Sequence, residues 1–421
     1  MKREISSWKK GTGLGRTLRN AFALVGCALG VAACGGALME ESEEGALAVA
    51  RQEISAVKIP NGTQTLWAHF TAAYPGSTPD YTIKNEVVRL IDSQVAPGTI
   101  KIAVHKLGAD IKDALVRAKS RGVVVKAAVT GQISGDPHVI DLQNQLATCG
   151  ASGCGVTICS RDTNNKTCTW SGTAASSMHE KFITFTGTTQ PGSTVVEQAT
   201  WIGSANFEGS SLYQRWNNSL TFYNATSMNS GMNTHFDHLY AQGPSGVRVS
   251  DYRTSTRGYF NATGVGTEVF MSNDVDGDAP TEILRRYTGA TGCRVRVMMS
   301  QITRTAPLDE LLRLKNQGCY VYIGVGGESA PDISAGVKDY LRLNFPGAQW
   351  IPGCHDKALA IYAKNSSGVF GYYTMAGSHN WTVSALREND ELLTVTNNQA
   401  VHDAYYQHFT ELWARGQPVN P

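Results

Sequence analysis

Charge is scarce in this chain. Of 421 residues, 17% are Asp, Glu, Lys or Arg, below the usual quarter. The formal net charge is +2, but basic residues crowd into the first 33 positions. Without that stretch 31 basic and 34 acidic residues remain, a net charge of −3. A near-neutral body excludes the broad positive field that non-specific nucleic-acid binding needs, and leaves room only for a local basic groove. Long apolar runs are missing too. The run Ala21–Ala33 is too short for a permanent membrane helix, and no other stretch is long enough. Behind a basic stretch it reads as an export signal. Val31-Ala32-Ala33-Cys34 fits a bacterial lipoprotein box acylated on Cys34; ordinary secretory cleavage is the alternative. Cysteine pairs spaced CxxC are absent, which excludes a zinc knuckle. Cys149, Cys154, Cys159 and Cys168 suit two disulfides stapling a loop. Cys293 and Cys319 open two neighbouring strands and are candidates for a third. Cys354 is then left over.

What is present is ordinary core material, 42% apolar, with 43 glycines. After an acidic, Ala-rich tether the pattern alternates. Val87-Val88, Leu90-Ile91 and Val95 fall at helical spacing, and Thr99–Val104 reads as a strand. Ile111, Ala114-Leu115 and Ala118 are helical again, Gly122 stops that helix, and Val123–Val129 is a strand. The order recurs. Ile283-Leu284 and Tyr287 suit a helix, and Cys293–Met299 a strand. Leu308, Leu311-Leu312 and Leu314 suit a helix, Gly318 a stop, and Cys319–Val325 a strand. This is α/β grammar duplicated with a period of about 190 residues. The expected division is 1–33 signal, 34–58 acidic linker, 59–250 first lobe and 251–421 second lobe.

The two copies agree best further on. His179-Glu-Lys181 is followed by Gly203-Ser204-Ala-Asn206, and His355-Asp-Lys357 by Gly377-Ser378-His-Asn380. Residues two apart share a face of a strand, so each His projects with its Lys. The turn-prone segments Gln190–Ser193 and Asn365–Gly368 predict hairpins that return Gly-Ser-x-Asn beside His-x-Lys. One such pair is a weak signal; two, spaced 24 and 22 residues from His to Gly, are strong.

On these residues the sequence resembles the phospholipase D superfamily, whose mark is His-x-Lys-x4-Asp with Gly-Ser-x-Asn downstream. The resemblance runs over about residues 60–415 and includes Asn389-Asp390-Glu391. It departs at the motif Asp, which is Thr186 in one copy and Tyr362 in the other. Matched to Asn389-Asp390-Glu391, the first copy reads Asn217-Asn218-Ser219, with Ser219 at the Glu position. The missing Asp and long hairpins resemble the tyrosyl-DNA phosphodiesterase branch. The resemblance implies two pseudo-symmetric α/β/α lobes, each with a mixed sheet, sharing one active site. It implies His179 as nucleophile and His355 as acid/base. Lys181, Lys357, Asn206 and Asn380 would balance the phosphoryl oxygens, which is the main catalytic term in such transfers. Glu391 would set an imidazole tautomer, with Ser378 assisting. The lysines supply the positive charge, so no metal or other cofactor is required. The implied partner is a phospholipid at a membrane surface, and no obligate protein partner. A nuclease, or a degenerate phosphate-binding member, is the alternative. Asp274-Val-Asp276-Gly-Asp278 reads as a turn. Arg285-Arg286 and Arg294 with Arg296 read as solvated faces, and His379 as a site wall. Trp170, Trp201, Trp216, Trp350 and Trp381 read mostly as core.

Overall fold

Two strand-helix-strand repeats, each covered by apolar helices on one side, dictate two sheets. The computed structural model describes residues 56–74, 76–149, 153–160, 166–169, 176–245, 258–272 and 277–419. The expected signal, Cys34, most of the linker, Trp170, Asp274 and Asp276 lie outside the described residues, as does the expected lobe junction near 250. Every described residue belongs to one unit, Leu47–Pro421.

The first sheet contains β1 (Ala56–Asn61), β2 (Gln64–Ala72), β3 (Thr99–Val104), β4 (Val124–Thr130), β5 (Gly155–Cys159), β6 (Phe182–Thr189), β7 (Val196–Gly203) and β8 (Trp216–Tyr223). Its order is β1-β2-β8-β7-β6-β3-β4-β5. The β3-β4 and β4-β5 pairs are parallel and the rest antiparallel. The second contains β9 (Tyr259–Ala262), β10 (Thr267–Ser272), β11 (Arg294–Met299), β12 (Tyr320–Val325), β13 (Gln349–Trp350), β14 (Lys357–Lys364), β15 (Phe370–Gly377), β16 (Glu391–Asn397) and β17 (Gln417–Pro418). Read from β9 to β13 its order repeats the first, with β17 added at the end. Both sheets are mixed, as expected.

Helices α1 (Thr82–Ser93), α2 (Ala109–Ser120), α3 (Pro137–Ala147), α4 (Gly209–Tyr213) and α5 (Thr226–Ser245) accompany the first sheet. Helices α6 (Ala279–Arg285), α7 (Ala306–Asn316), α8 (Ala335–Asn344), α9 (Val383–Arg387) and α10 (Gln399–Trp413) accompany the second. Gly122 and Gly318 stop α2 and α7 at φ +89° and +97°, a conformation open to glycine at no steric cost.

Each lobe has its own core under α1–α3 or α6–α8, built on Leu90, Ile102, Leu115 and Trp201 in one and on Val297, Leu311, Ile361 and Trp381 in the other. A third core draws on both lobes. It brings Phe70, Phe182, Trp216 and Phe236 together with Met298, Tyr405 and Phe409. Phe70 meets Tyr405 edge-on at 5.1 Å and stacks on His408 at 4.4 Å. Trp201, Trp216 and Trp381 are thus core residues, and Trp350 is half-buried. Arg296 corrects the expectation of a solvated face. It is 1% exposed, and its guanidinium lies over Tyr322 at 4.1 Å and near Tyr406 and Phe409. Helix α10 covers that side of β11, whereas Arg294 is exposed.

Disulfides join Cys149–Cys154, Cys159–Cys168 and Cys293–Cys319, and Cys354 is free and buried. Such bonds persist in oxidising compartments. No helix among the described residues is long and apolar enough to cross a membrane. The Cys293–Cys319 link spans 26 residues. Replacing both cysteines by alanine should lower unfolding free energy by about 3 kcal/mol, read from urea denaturation. A loss below about 1 kcal/mol would show that the bond does not constrain the unfolded chain as that model requires.

Candidate active site

The site is built from the ends of equivalent strands. Lys181 immediately precedes β6 and Lys357 is the first residue of β14, so each His stands just outside the sheet edge rather than within the strand. The backbone there is stitched to the opposite lobe. The His179 N–H donates to Asp390 O at 2.9 Å, and the His355 N–H donates to Trp216 O at 2.9 Å. Two isolated bridges, Met178 with Asp390 and Trp216 with Cys354, complete this reciprocal arrangement.

The side chains repeat the exchange. His179 Nδ1 lies 2.9 Å from both oxygens of Glu391, and His355 Nδ1 lies 2.9 Å from Asn217 Oδ1. Ser378 Oγ donates to Glu391 at 2.5 Å and Ser204 Oγ donates to Asn217 at 3.0 Å. Each serine also accepts a backbone N–H from the returning strand, that of Leu392 or Asn218. Asn389 Nδ2 donates to the second Glu391 oxygen at 3.1 Å. The glycine ahead of Ser378 is dictated by close approach: a Cβ on Gly377 would sit 2.1 Å from Leu392 O. With both Nδ1 atoms engaged, both Nε2 atoms are left for chemistry.

One sequence expectation is corrected here. The residue equivalent to Glu391 is Asn217, not Ser219. Gly203 pairs with Ser219 and Gly377 with Leu393, so the frame is displaced by two residues. The Ser219 hydroxyl is buried without a hydrogen-bond partner. The signal was present as spacing: Asn217 follows Ser204, and Glu391 follows Ser378, by 13 residues.

The lysines lie beneath the histidines, essentially fully buried. Lys181 Nζ donates to His179 O, and Lys357 Nζ to His355 O at 2.6 Å. Burial pushes the Lys181 amine well below its ordinary range and Lys357 to about 7, with Glu391 opposing in both. Burial, then Lys181 and Lys357, hold His179 well below the usual imidazole range. His355 is held down by burial, then by Lys357, Arg215, Lys181 and His179. The two imidazoles and two ammonium groups therefore share one electrostatic environment. Burial raises the Glu391 carboxyl. A bound phosphodiester would add negative charge beside the lysines and draw them back toward their charged forms.

Asn206 is 8% exposed and Asn380 half-buried. The Oδ1 of Asn380 has no partner, and neither has Nε2 of His379, whose Nδ1 faces Asn380 O at 2.6 Å. His379 is 1% exposed, so it lies behind the site surface. Sequence reasoning missed His105, which follows β3. Its ring meets His179 edge-on at 4.6 Å, with Nδ1 3.2 Å from Asn206 Oδ1 and Nε2 3.3 Å from Gln132. A histidine at the carboxyl end of a parallel strand was the available signal. Also missed were two buried acid–imidazole pairs made by the middle residue of each His-x-Lys. Glu180 binds His235 at 2.8 Å, and Asp356 lies 3.2 Å from His408. Thr186 and Tyr362 sit roughly 17 Å down their strands from the lysines, at about 3.3 Å per residue. Thr186 binds the β3 backbone and Tyr362 stacks on Phe370, so the positions of the missing Asp make their contacts away from the motif histidines.

The chain matches the family model described as "Cardiolipin synthase, PLD-like domain" over residues 88–240 and 283–413. A mitochondrial cardiolipin hydrolase of Xenopus tropicalis is 32% identical over 66 residues, 16% of this chain. That match covers 31% of the hydrolase's own length. Among solved structures, phosphatidylserine synthase from Haemophilus influenzae Rd KW20 superposes with a TM-score of 0.56 at 10% identity, over 90% of this chain and 92% of that one. Nuc, a phospholipase D family member from Salmonella typhimurium, gives 0.30 at 21% identity over 43% and 96%. At these identities the structural likeness is one of fold.

The Glu391/Asn217 asymmetry has a titration consequence. Asn217→Asp places an opposite charge beside His355, which favours the charged imidazole, so its midpoint should rise by about one pH unit or more. Proton NMR titration of the histidine ring signals reads this directly. A His355 midpoint that stays put would mean that Asn217 is not its partner in solution.

Proposed function

The chain belongs to the family of cardiolipin-synthase-type phospholipase D-like domains, and from that premise we propose that it cleaves phospholipid headgroups through a phosphohistidine on His179. Membership in the phospholipase D superfamily makes it a phosphodiesterase or transferase. The finer reading rests on one observation: two imidazoles, each fixed at Nδ1 by the opposite lobe, stand over two buried lysines.

His179 Nε2 attacks phosphorus, a P–N bond forms, and the bond to the headgroup oxygen breaks. His355 gives that oxygen its proton. Water then loses a proton to His355 and attacks phosphorus, the P–N bond breaks, and phosphatidate leaves. An alcohol in place of water would give transfer. The asymmetry of the Nδ1 partners supports this division. The Glu391 carboxylate strengthens His179 as a nucleophile, while neutral Asn217 leaves His355 the weaker base and readier donor. Lys181, Lys357, Asn206 and Asn380 face the developing charge on the non-bridging oxygens. These ammonium and amide donors supply the positive charge that the step demands.

A lipid is favoured over nucleic acid because partly exposed cations around the site are already matched. Lys106 lies 3.9 Å from Glu208, Arg304 lies 2.6 Å from Asp278, and Arg215 meets Glu328. Among the described residues these paired cations do not form the unpaired basic track that a polyanion follows. The disulfides and the sequence before Cys34 support an exported enzyme, anchored through Cys34 or secreted.

Purified protein in EDTA should release choline from phosphatidylcholine vesicles and leave single- and double-stranded DNA intact. His179→Ala and His355→Ala should each reduce that rate by about a thousandfold or more, as for groups that act as a unit. Degraded DNA with unreleased choline would transfer the site to the nuclease reading. Wild-type rates in either histidine variant would refute the shared mechanism.

A further inference from the structure

Arg215 has no part in that mechanism, yet it is attached to the site. It precedes Trp216, whose carbonyl holds the His355 N–H. Its guanidinium also acts electrostatically on His355 and Lys357. Across the lobe boundary it meets Glu328. Glu328 follows Gly327, whose carbonyl accepts the Gly353 N–H at 2.9 Å and Trp350 Nε1 at 3.3 Å. Gly353 is two residues before His355. Both members of the ion pair are therefore mounted on backbone that adjoins His355.

The duplicated scaffold provides a control. The counterpart of Arg215 beside His179 is Asn389, which precedes Asp390 as Arg215 precedes Trp216. Val129 and Val325 hold equivalent register places, and Gln132 and Glu328 each follow by three residues. On the His179 side the pair is thus two neutral amides, and Gln132 turns to His105 instead. The charged pair is not inherited from the repeat; it marks the His355 side.

If His355 protonates the leaving oxygen, the headgroup lies on that side. We propose that Arg215 is a second anion site, and that among phospholipids the enzyme prefers those whose leaving headgroup carries its own carboxylate or phosphate. The proposal rests on the phosphodiesterase reading for the placement of the headgroup. The anion takes the place of Glu328, whose side chain is 63% exposed and turns to water. An ion pair with one partner in water and the other half-buried contributes little, so this exchange is cheap. A guanidinium binds either anion with two parallel hydrogen bonds, which an ammonium cannot do.

Binding of water-soluble headgroup diesters tests this without requiring turnover. Glycerophosphoserine, glycerophosphoethanolamine and glycerophosphoglycerol bearing a terminal phosphate would be titrated calorimetrically into the full chain carrying His179→Asn. One or both of the diesters that carry a second anionic group should bind about tenfold more tightly than the ethanolamine diester. Adding Arg215→Ala should erase that preference, and adding Glu328→Gln should enlarge it. Which anion gains more tells carboxylate from phosphate. Equal affinity for all three diesters, no binding of any, or a preference surviving Arg215→Ala overturns the proposal. Turnover of phosphatidylserine and phosphatidylethanolamine in neutral mixed micelles is measured separately with the wild-type chain. A binding preference without turnover upholds the anion site and sinks the phosphodiesterase reading; turnover with equal affinities does the reverse.

Discussion

Each motif histidine is held by the half of the chain that does not contain it. The constraint acts twice on each residue, once through its backbone N–H and once through Nδ1. Neither lobe could orient its own imidazole alone. The shared core of Phe70, Trp216, Tyr405 and Phe409 therefore serves orientation as well as stability, because burying it fixes the registers at which the two lobes exchange partners. Asn218 shows how closely packing and orientation are joined. Its Nδ2 donates to Asp356 at 2.5 Å, and its Oδ1 accepts from Tyr405 at 2.9 Å. It thus ties β8 to the middle residue of the opposite His-x-Lys and to α10.

Electrostatics follows from the same geometry. Two ammonium groups and two imidazoles brought together away from water disfavour one another's charged forms, and the depressed lysines express that cost. A phosphodiester anion bound beside these groups would offset that cost. Glu391 is the one motif carboxylate bound to a motif imidazole, and its two oxygens are shared by His179, Ser378 and Asn389. Where the other half has neutral Asn217, symmetry is broken at the atom that sets imidazole basicity. A duplicated fold thereby obtains two chemically distinct histidines from one architecture.

Much of this was legible in the residues. Apolar periodicity gave β3, α2 and β4 and their repeats within a residue or two, because buried parallel strands are nearly all apolar and the stop glycines are unambiguous. The histidines, lysines and asparagines announced themselves by repetition. The role of Asn217 is masked by a three-letter likeness, Asn-Asn-Ser to Asn-Asp-Glu, that competes with the constant spacing from the serine that binds it. His105 and Arg215 carry no motif; they become visible only when β3 and β8 are placed beside the site. Arg296 shares a face with Arg294 on a strand whose other face is core, so its pattern reads as solvent-facing. Only the return of α10 across that face reveals the aromatic cover.

The stapled loop of the first lobe reaches further than its own stability. Cys168 N–H donates to Asp390 Oδ2 at 2.7 Å, and Thr169 donates to the other oxygen. Asp390 is buried and beside Glu180, and burial and that neighbour push its carboxyl up to about 7. A carboxyl so placed is costly unless donors converge on it, and these two come from Cys168, which closes the Cys159–Cys168 segment, and from the residue that follows it. Asp390 also carries the carbonyl that holds His179 and adjoins Glu391, which sets that ring. The crosslink at Cys168 therefore supports His179 through one intermediate residue. Through Asp390, the Cys168 end of that loop and the His179–Glu391 pair form one polar network across the lobe boundary.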